Sequence, residues 1–293
     1  MQSIKNMFIA FRPKTLTACL VPIVVSSALV KALGLPVDSE VVVLALLASF
    51  FIQIGTNLVN DAVDFKKGAD TETRIGPQRV TQSGLFNYKQ VMTMAGLFFA
   101  AAVACGVPLV MSGGTPILVI GILSVLMGYG YTMGPVPLAY FGLGDLFVIL
   151  FFGIVAVMGV FFLHTHTWPI QSLWLGLQIG FHATVLIAIN NLRDVDGDRL
   201  VDKKTLAVRF GKSFGRYEIG FLAMAPFLMN IFWWNENFKE AALFSLMALP
   251  IAFIVIKNIF TTEPSAFYNK FLGQSALLHL VFGLLLSLGF FLK

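Results

Sequence analysis

The sequence predicts an all-α integral membrane protein, a polytopic bundle of about nine transmembrane helices. Hydrophobic residues make up 57% of the 293-residue chain and charged residues only 12%, with a mean hydropathy of +0.84. Soluble domains carry roughly 25% charged residues. The apolar residues also occur in runs of about 20, the length that a helix needs to cross a membrane. Finally, the basic residues are concentrated on one predicted side of the bundle.

Nine apolar runs are candidate spans, at 15–34, 41–60, 91–112, 115–133, 142–163, 170–192, 216–234, 239–260 and 272–292. The first follows Arg12 and Lys14 and is as long as a span, which argues against a cleavable signal peptide. The third and fourth are separated by SGGT, a sequence typical of a tight turn. We expect the nine runs to form a single integral-membrane domain over residues 1–293.

The basic residues predict the orientation of the bundle. The side with the N-terminus and loops 61–90, 134–141, 193–215 and 261–271 holds seventeen Lys and Arg residues, and the other side holds three. Because positively charged loops stay in the cytoplasm, we expect the N-terminus and these loops to be cytoplasmic, with the chain in the inner (plasma) membrane. The net charge of +5 therefore does not indicate nucleic-acid binding. Cys19 and Cys105 show neither disulfide nor zinc spacing.

Two acidic clusters follow the second and sixth spans on this predicted cytoplasmic face. They are NDAVDFKKGAD at 60–70 and NNLRDVDGDRLVDKKTLAVRFG at 190–211, and a shift of 130 positions superposes Asn60 on Asn190 and Asp64 on Asp194. We interpret this as a weak internal repeat. Residues three and four apart share a helical face. The residues expected to share a face are Asn57, Asn60, Asp61 and Asp64 in the first cluster, and Asn190, Asn191, Asp194 and Asp198 in the second.

Clustered carboxylates repel one another, so such a site favours cations. Seven of the 15 acidic residues fall in these two clusters. Mg²⁺ typically binds one or two carboxylates together with water and substrate phosphates, and nearby basic residues suit a diphosphate. An isolated loop aspartate is usually only solvated, and an ion carrier is the main alternative use of the clusters. A carrier is expected to place its charges near the bilayer midplane, whereas these clusters lie at the ends of spans.

Four stretches resemble the UbiA superfamily of intramembrane prenyltransferases. They are FRPKTL at 11–16, NDAVDFKKGADTETRIGPQRVTQSG at 60–84, YTMGPVPLAYFGLGDLFVILFFG at 131–153, and the stretch 190–211. The aspartate motifs are similar to those of the superfamily. The middle stretch and GADTETRIGPQRV are most similar to the branch that prenylates dihydroxynaphthoate. Loop 132–145 departs from some relatives because it lacks the Lys of a Tyr-x-x-x-Lys pattern, although Tyr131 is present. Gly68 and Asp202 are further departures.

The resemblance implies Mg²⁺-dependent transfer of a polyprenyl group from polyprenyl diphosphate to 1,4-dihydroxy-2-naphthoate, with decarboxylation, giving demethylmenaquinone in menaquinone biosynthesis. Homogentisate and 4-hydroxybenzoate are the alternative acceptors. The resemblance implies that four catalytic aspartates hold metal, with Asn60, Asp61 and Asp64 on one Mg²⁺ and Asp194 and Asp198 on another. The residues expected to bind substrate are Asn57, Lys66, Asp70, Arg74, Tyr131, Asn190, Asn191, Lys203, Lys204, Arg209 and, for the carboxylate of the acceptor, Arg12. The prenyl tail is expected to lie among apolar helices in the bilayer.

Overall fold

The computed structural model describes residues 7, 9–68, 75–77, 79–133 and 138–293, apart from the side chain of Lys14. No strand occurs in these residues. A 3₁₀ turn covers Leu138–Tyr140 and a π-helical segment covers Ile149–Val155. The α-helices are α1 (Pro13–Ala32), α2 (Ser39–Lys66), α3 (Tyr88–Gly130), α4 (Gly144–Val148), α5 (Ala156–Thr165), α6 (Ile170–Arg193), α7 (Val195–Leu200), α8 (Leu206–Leu228), α9 (Asn230–Asn235), α10 (Lys239–Leu246), α11 (Leu249–Thr261) and α12 (Tyr268–Phe291).

Several of these helices can cross a membrane. In the described residues, six are long and apolar enough, namely α1 from Thr15, α2, α3, the continuous stretch Gly144–Thr165, α6 and α12. A seventh span results if α10 and α11, which meet at a bend of 42°, are taken together. The chain is therefore a multi-pass membrane protein of the predicted all-α class. The predicted number of nine spans is not confirmed by this count.

Helix α3 is a hairpin of two helical arms. Gly114 has φ 64° and ψ −152°, which interrupts the helix at the predicted SGGT turn. The Phe99 ring lies 3.3 Å from the position that a Cβ atom would take on Gly128. On a straight helix these residues would be about 44 Å apart, so the chain must reverse between them. The arms 88–113 and 115–130 thus run antiparallel beside α2.

The sixth span does not continue through its acidic cluster as expected. Helix α6 ends at Arg193, and Asp194, with φ −93° and ψ 7°, separates it from the short helix α7. Asn190 and Asp198 therefore lie on different helices and do not share one continuous face. Helix α2, in contrast, stays helical through its polar end to Lys66.

Close backbone contact joins the π-helical segment to α6. A Cβ atom on Gly176 would lie 2.8 Å from Ile154 Cα, and one on Gly180 would lie 2.7 Å from Ile149 O. Small residues allow membrane helices to approach in this way. Helix α6 also packs against α8 and α12, and α1 packs against α2, α5 and α12. These contacts leave a cavity between the ends of α1, α2 and α6, the segment after α3, and the start of α12.

Candidate active site

The cavity has a volume of about 530 Å³, which is within the range of small-molecule sites. Polar side chains line one part of it and apolar side chains of α4, the π-helical segment and α6 line another. Eight residues that the sequence predicts for the site lie on its wall: Arg12, Asn57, Asn60, Asp64, Tyr131, Asn190, Asn191 and Lys203. The fold thus brings residues of both acidic clusters to one cavity.

Asp64, near the end of α2, is surrounded by donors from outside its own cluster. Its Oδ2 accepts a hydrogen bond from Arg79 Nη2 at 3.1 Å, and its Oδ1 accepts one from the Tyr140 hydroxyl at 3.1 Å. One turn earlier, the Asn60 side-chain oxygen accepts a hydrogen bond from the Thr132 hydroxyl. The end of α2 therefore presents oxygen atoms to the cavity that are positioned by three separate segments.

Asp61 occupies a different position from its neighbours. It is only 3% exposed and does not line the cavity. Its two carboxylate oxygens accept hydrogen bonds from the backbone amides of Val80 and Thr81, both at 2.9 Å. Arg12 Nη2 lies 3.9 Å from Asp61 Oδ2. Asp61 consequently anchors the segment that follows α2.

Asp194 is held by its own neighbour at the end of α6. Arg193 donates hydrogen bonds from Nε and Nη2 to the two Asp194 oxygens, at 2.8 and 2.6 Å. Arg193 Nη1 also donates to Asn269 Oδ1 at 2.7 Å, and the Asn269 amide donates to Ile75 O at 2.9 Å. This network joins α6, the start of α12 and the segment after α2 at the edge of the cavity.

Asp198 is a buried carboxylate on α7, 8% exposed. Its Oδ1 accepts a hydrogen bond from Lys203 Nζ at 3.3 Å, while its Oδ2 is buried without a hydrogen-bond partner in the described residues. Burial raises the pKa of Asp198 to about 6; the charges of Asp194 and Asp64 raise it further and Lys203 lowers it. The carboxylates of the two clusters are therefore close enough to repel each other, and a bound cation would relieve that repulsion.

Tyr131 lies among three carboxylates. Its hydroxyl is 2.9 Å from the position a Cβ atom would take on Gly144. Its pKa is raised, first by burial and then by the charges of Asp145, Asp64 and Asp198. Asp145 is 5% exposed and accepts a hydrogen bond from the Asn191 amide at 3.5 Å. A third carboxylate therefore stands behind the cavity wall, where the sequence motifs do not predict one.

Three predicted basic residues lie away from the cavity wall. Lys66 is exposed and its ammonium group lies 5.5 Å above the ring of a tyrosine in α3. Lys204 forms an exposed ion pair with Asp202 at 3.4 Å. Arg209 donates hydrogen bonds to two backbone carbonyls, one of them Lys204 O at 3.0 Å. Two further predicted residues lie outside the described residues, Asp70 and Arg74.

The structure adds residues that the sequence motifs do not assign to the site. Arg79 and Asn269 line the cavity, and Tyr140 bonds to Asp64. Lys67 donates to Thr132 O at 2.8 Å and lies 4.2 Å from the centroid of the Tyr140 ring. The sequence contains one weak indication that Arg79 belongs to the site, because the 130-residue shift aligns Arg79 with Arg209 of the second cluster. Asn269 had no local signal, since only tertiary packing brings α12 here.

The available donor atoms fit Mg²⁺. Within the described ranges, no three His, Cys, Asp or Glu side chains form a group that could hold a metal ion. Asp64 and Asn60 bring side-chain oxygens to the cavity wall. Asp198 Oδ2 has no hydrogen-bond partner among the described residues. Mg²⁺ characteristically binds one or two carboxylates and completes its coordination with water and substrate phosphates. Phosphate oxygens of a substrate would thus complete the coordination of a Mg²⁺ ion bound by these residues.

Comparison with known proteins identifies relatives along nearly the whole chain. The model of the UbiA prenyltransferase family matches residues 19–290. A 1,4-dihydroxy-2-naphthoate octaprenyltransferase from Haemophilus influenzae is 32% identical over 287 residues, which is 95% of this chain and 93% of the relative. The Escherichia coli protein of the same name is 37% identical over 213 residues, 69% of this chain and 68% of the relative.

The fold also matches solved structures. A UbiA homolog from Archaeoglobus fulgidus bound to GPP and Mg²⁺ superposes with a TM-score of 0.68 at 14% sequence identity, covering 96% of this chain and 99% of the other. At that identity the match concerns the fold. It confirms the predicted all-α, polytopic membrane bundle.

Proposed function

The chain belongs to the UbiA prenyltransferase family, and on that premise we propose that it transfers a polyprenyl group from polyprenyl diphosphate to 1,4-dihydroxy-2-naphthoate with loss of CO₂. The acceptor is proposed from the names of the relatives in H. influenzae and E. coli. The prenyl donor and Mg²⁺ are proposed from the chemistry of the cavity, and the A. fulgidus homolog bound to GPP and Mg²⁺ supports both.

The observation that carries the proposal is the two-part wall of the cavity. Asp64, Arg79 and Lys203 place charge at one part, while Phe147 and Phe152 belong to an apolar part. A polyprenyl diphosphate has the same division, with a charged head and a hydrocarbon tail. Burying the tail against apolar side chains is favourable by roughly 25 cal/mol per Å², and basic side chains are suited to the diphosphate oxygens.

We assign the Mg²⁺ ligands of this chain to Asp64, Asp198 and Asn60. When bound, Mg²⁺ supplies electrostatic stabilisation of the departing diphosphate. Asp64 and Asn60 line the cavity, and Asp198 Oδ2 has no hydrogen-bond partner among the described residues. Asp61 and Asp194 do not line the cavity, and both oxygens of each are hydrogen-bonded inside the protein. In this proposal they fix the loop after α2 and the break after α6, respectively, and so position the ligands.

The other residues of the cavity neutralise the charge of the diphosphate and exclude water. Arg79 and Lys203 neutralise diphosphate charge, and the apolar wall keeps water from the allylic cation. The C–O bond breaks with its electron pair passing to diphosphate, and the carboxylated ring carbon forms the new C–C bond. CO₂ then leaves from that carbon, and its bonding pair restores the aromatic ring. The product is a prenylated naphthalenediol, the reduced form of demethylmenaquinone.

The distribution of charge supports a location and an orientation for the protein in the membrane. We propose that the whole chain, 1–293, is one unit in the inner (plasma) membrane, with the N-terminus and the cavity mouth cytoplasmic. The seventeen-to-three bias of basic residues supports this orientation. In this orientation the diphosphate head of the donor lies at the cytoplasmic surface, while its prenyl tail lies in the bilayer.

A single assay tests the proposed function. Purified protein in nanodiscs is incubated with Mg²⁺, a polyprenyl diphosphate and dihydroxynaphthoate, with homogentisate and 4-hydroxybenzoate in parallel reactions. We expect prenylated naphthalenediol, CO₂ and diphosphate in equal amounts, and no product when EDTA replaces Mg²⁺. Product from another acid but none from dihydroxynaphthoate would overturn the acceptor assignment. An ion carrier would give no prenylated product from any acid.

A further inference from the structure

Three carboxylates of the described residues are buried, and Asp145 differs from the other two. Asp61 forms an ion pair with Arg12, and Asp198 forms one with Lys203. Asp145, which is 5% exposed, forms no ion pair within the described ranges, and its Oδ1 is buried there without a hydrogen-bond partner. A buried polar atom of this kind is rare in folded proteins, because nothing replaces the hydration that it has lost.

Asp145 does not line the cavity, but it is close to two residues that do. Its Oδ2 accepts a hydrogen bond from the amide of Asn191, at 3.5 Å. The Tyr131 hydroxyl lies 2.9 Å from the position that a Cβ atom would take on Gly144, the residue before Asp145. Of the charges that raise the pKa of Tyr131, that of Asp145 has the largest effect. Tyr131 is thus a cavity residue whose hydroxyl is close to the charge of Asp145.

The surroundings of Tyr131 keep its hydroxyl neutral. Burial and the charges of Asp145, Asp64 and Asp198 all raise the pKa of Tyr131, so the hydroxyl stays protonated. A neutral hydroxyl donates one hydrogen bond and accepts others. It can therefore pass a proton from a ligand in the cavity to a carboxylate without becoming charged itself.

The neighbours of Tyr131 suit an aromatic ligand. Its ring centroid lies 5.7 Å from that of Phe147, which stacks on Phe151 at 4.5 Å. Aromatic rings attract one another at such distances, and Tyr131 and Phe147 both line the cavity. An acceptor ring packed against this pair would bring its own hydroxyl groups to the side of the cavity that carries Tyr131.

We infer that Tyr131 and Asp145 form a proton relay for the acceptor hydroxyl next to the carboxylated carbon, with Tyr131 as the catalytic residue and Asp145 as the residue that positions it and holds the proton. The inference rests on the proposed function. As the ring carbon bonds to the allylic cation, the acceptor hydroxyl gives its proton to Tyr131, and Tyr131 gives its own to Asp145. The ring then carries a ketone beside the carbon that bears both the prenyl and the carboxylate groups.

The relay runs in reverse when CO₂ leaves. The electron pair of the broken C–C bond passes into the ring and onto the ketone oxygen. That oxygen takes a proton back from Tyr131, and Asp145 returns its proton to Tyr131. No proton is gained or lost over the cycle, and the products are those of the proposed reaction. General acid–base assistance of this kind typically accelerates a reaction about 10²- to 10⁴-fold.

Steady-state kinetics of Asp145 variants tests the proton acceptor. Asp145→Asn should lower kcat for dihydroxynaphthoate about 10²-fold and leave the KM for the prenyl diphosphate within about twofold, because asparagine has the shape of aspartate but does not take up the proton. Asp145→Glu keeps the carboxylate, so its kcat should exceed that of Asp145→Asn about tenfold. If Asp145 only supported the fold, the asparagine variant would be the faster of the two.

The matched control is Asp196→Asn, at an exposed carboxylate, which should resemble wild type. A wild-type kcat in Asp145→Asn, an asparagine variant faster than the glutamate variant, or a loss confined to the KM for the prenyl diphosphate would each overturn the inference. A wild-type protein that makes no product from dihydroxynaphthoate would refute the proposed function, and the inference with it.

Binding of acceptor analogues tests the position of Tyr131. The analogue 1-hydroxy-2-naphthoate keeps the hydroxyl next to the carboxylated carbon, and 4-hydroxy-2-naphthoate lacks it. Equilibrium dialysis measures both, with Mg²⁺ and an unreactive prenyl thiolodiphosphate present. Tyr131→Phe should weaken binding of the first about tenfold, by the loss of one hydrogen bond, and of the second less than about twofold. Equal losses, or no loss with the first analogue, would overturn the inference; Tyr217→Phe, on an exposed ring, is the control.

Discussion

The ends of α2 and α6 carry similar acidic sequences but are built differently. At the end of α2 the helix continues, the first aspartate (Asp61) turns inward to two backbone amides, and the second (Asp64) faces the cavity. At the end of α6 the helix breaks at Asp194, which pairs with its neighbour Arg193, and Asp198 is carried by a separate helix. In both regions one carboxylate organises the backbone.

This comparison shows that an acidic motif need not use all of its carboxylates in the same way. In each cluster the first aspartate has both oxygens engaged within the protein and does not line the cavity. Of the second aspartates, Asp64 lines the cavity, and Asp198 has an oxygen without a hydrogen-bond partner among the described residues. We therefore expect substitutions of the first and second aspartates to have different consequences.

The largest expected effect is on turnover, at the second aspartate of each cluster. Asp64→Asn and Asp198→Asn should each lower kcat/KM about 10³-fold, because each removes a negative charge that holds the metal, and the metal in turn stabilises the departing diphosphate. The Mg²⁺ concentration for half-maximal activity should rise where activity can be measured. Asp196→Asn is the control, since Asp196 is exposed and pairs with Lys212. Unchanged kcat/KM in either variant would contradict the metal assignment.

The next effect is on stability, at Asp61. Asp61→Asn should lower the free energy of unfolding by about 2–3 kcal/mol, because a buried charge that accepts two amide hydrogen bonds is lost. Thermal unfolding of the detergent-solubilised protein measures this, with Asp196→Asn, at an exposed carboxylate, as the comparison at near wild-type stability. If Asp61→Asn unfolds at the wild-type temperature but needs more Mg²⁺, Asp61 is a ligand and the two clusters differ less than their contacts indicate.

A smaller effect is expected on the KM for prenyl diphosphate, and it should distinguish two lysines that the sequence analysis assigns equally to substrate binding. Lys203→Gln should raise the KM for prenyl diphosphate about tenfold, because this lysine lines the cavity beside Asp198. Lys66→Gln should change it less than about twofold, because Lys66 is exposed and away from the cavity. Titration of each variant with the diphosphate donor gives both values. Equal effects would mean that the two helix ends contribute equally to diphosphate binding.

The smallest effect concerns the support of Asp64. Tyr140→Phe removes the hydroxyl that donates to Asp64 Oδ1, and the loss of one such bond should lower kcat/KM about tenfold. Its matched control is Tyr217→Phe, on an exposed ring in α8. A loss as large as that of Asp64→Asn would instead indicate that Tyr140 contacts substrate directly.

Much of this architecture could be predicted because the responsible forces are local. Apolar run length predicts spans, and the SGGT turn lies where α3 reverses at Gly114. Spacing along α2 placed Asn57, Asn60 and Asp64 together, and all three line the cavity. The corresponding expectation for the second cluster is wrong at one point, because the helix ends at Arg193 and Asp198 lies on a separate short helix.

By itself, the sequence determined the membrane class, the two acidic clusters and the chemistry that they favour, since hydropathy and charge are properties of short segments. Only the tertiary structure decided which carboxylates face the cavity. That choice depends on distant partners: the amides of Val80 and Thr81 for Asp61, and the hydroxyl of Tyr140 for Asp64. A carboxylate buried against backbone amides becomes an anchor, whereas the same group beside a cavity remains available to a ligand, and this difference arises only when separate segments pack together.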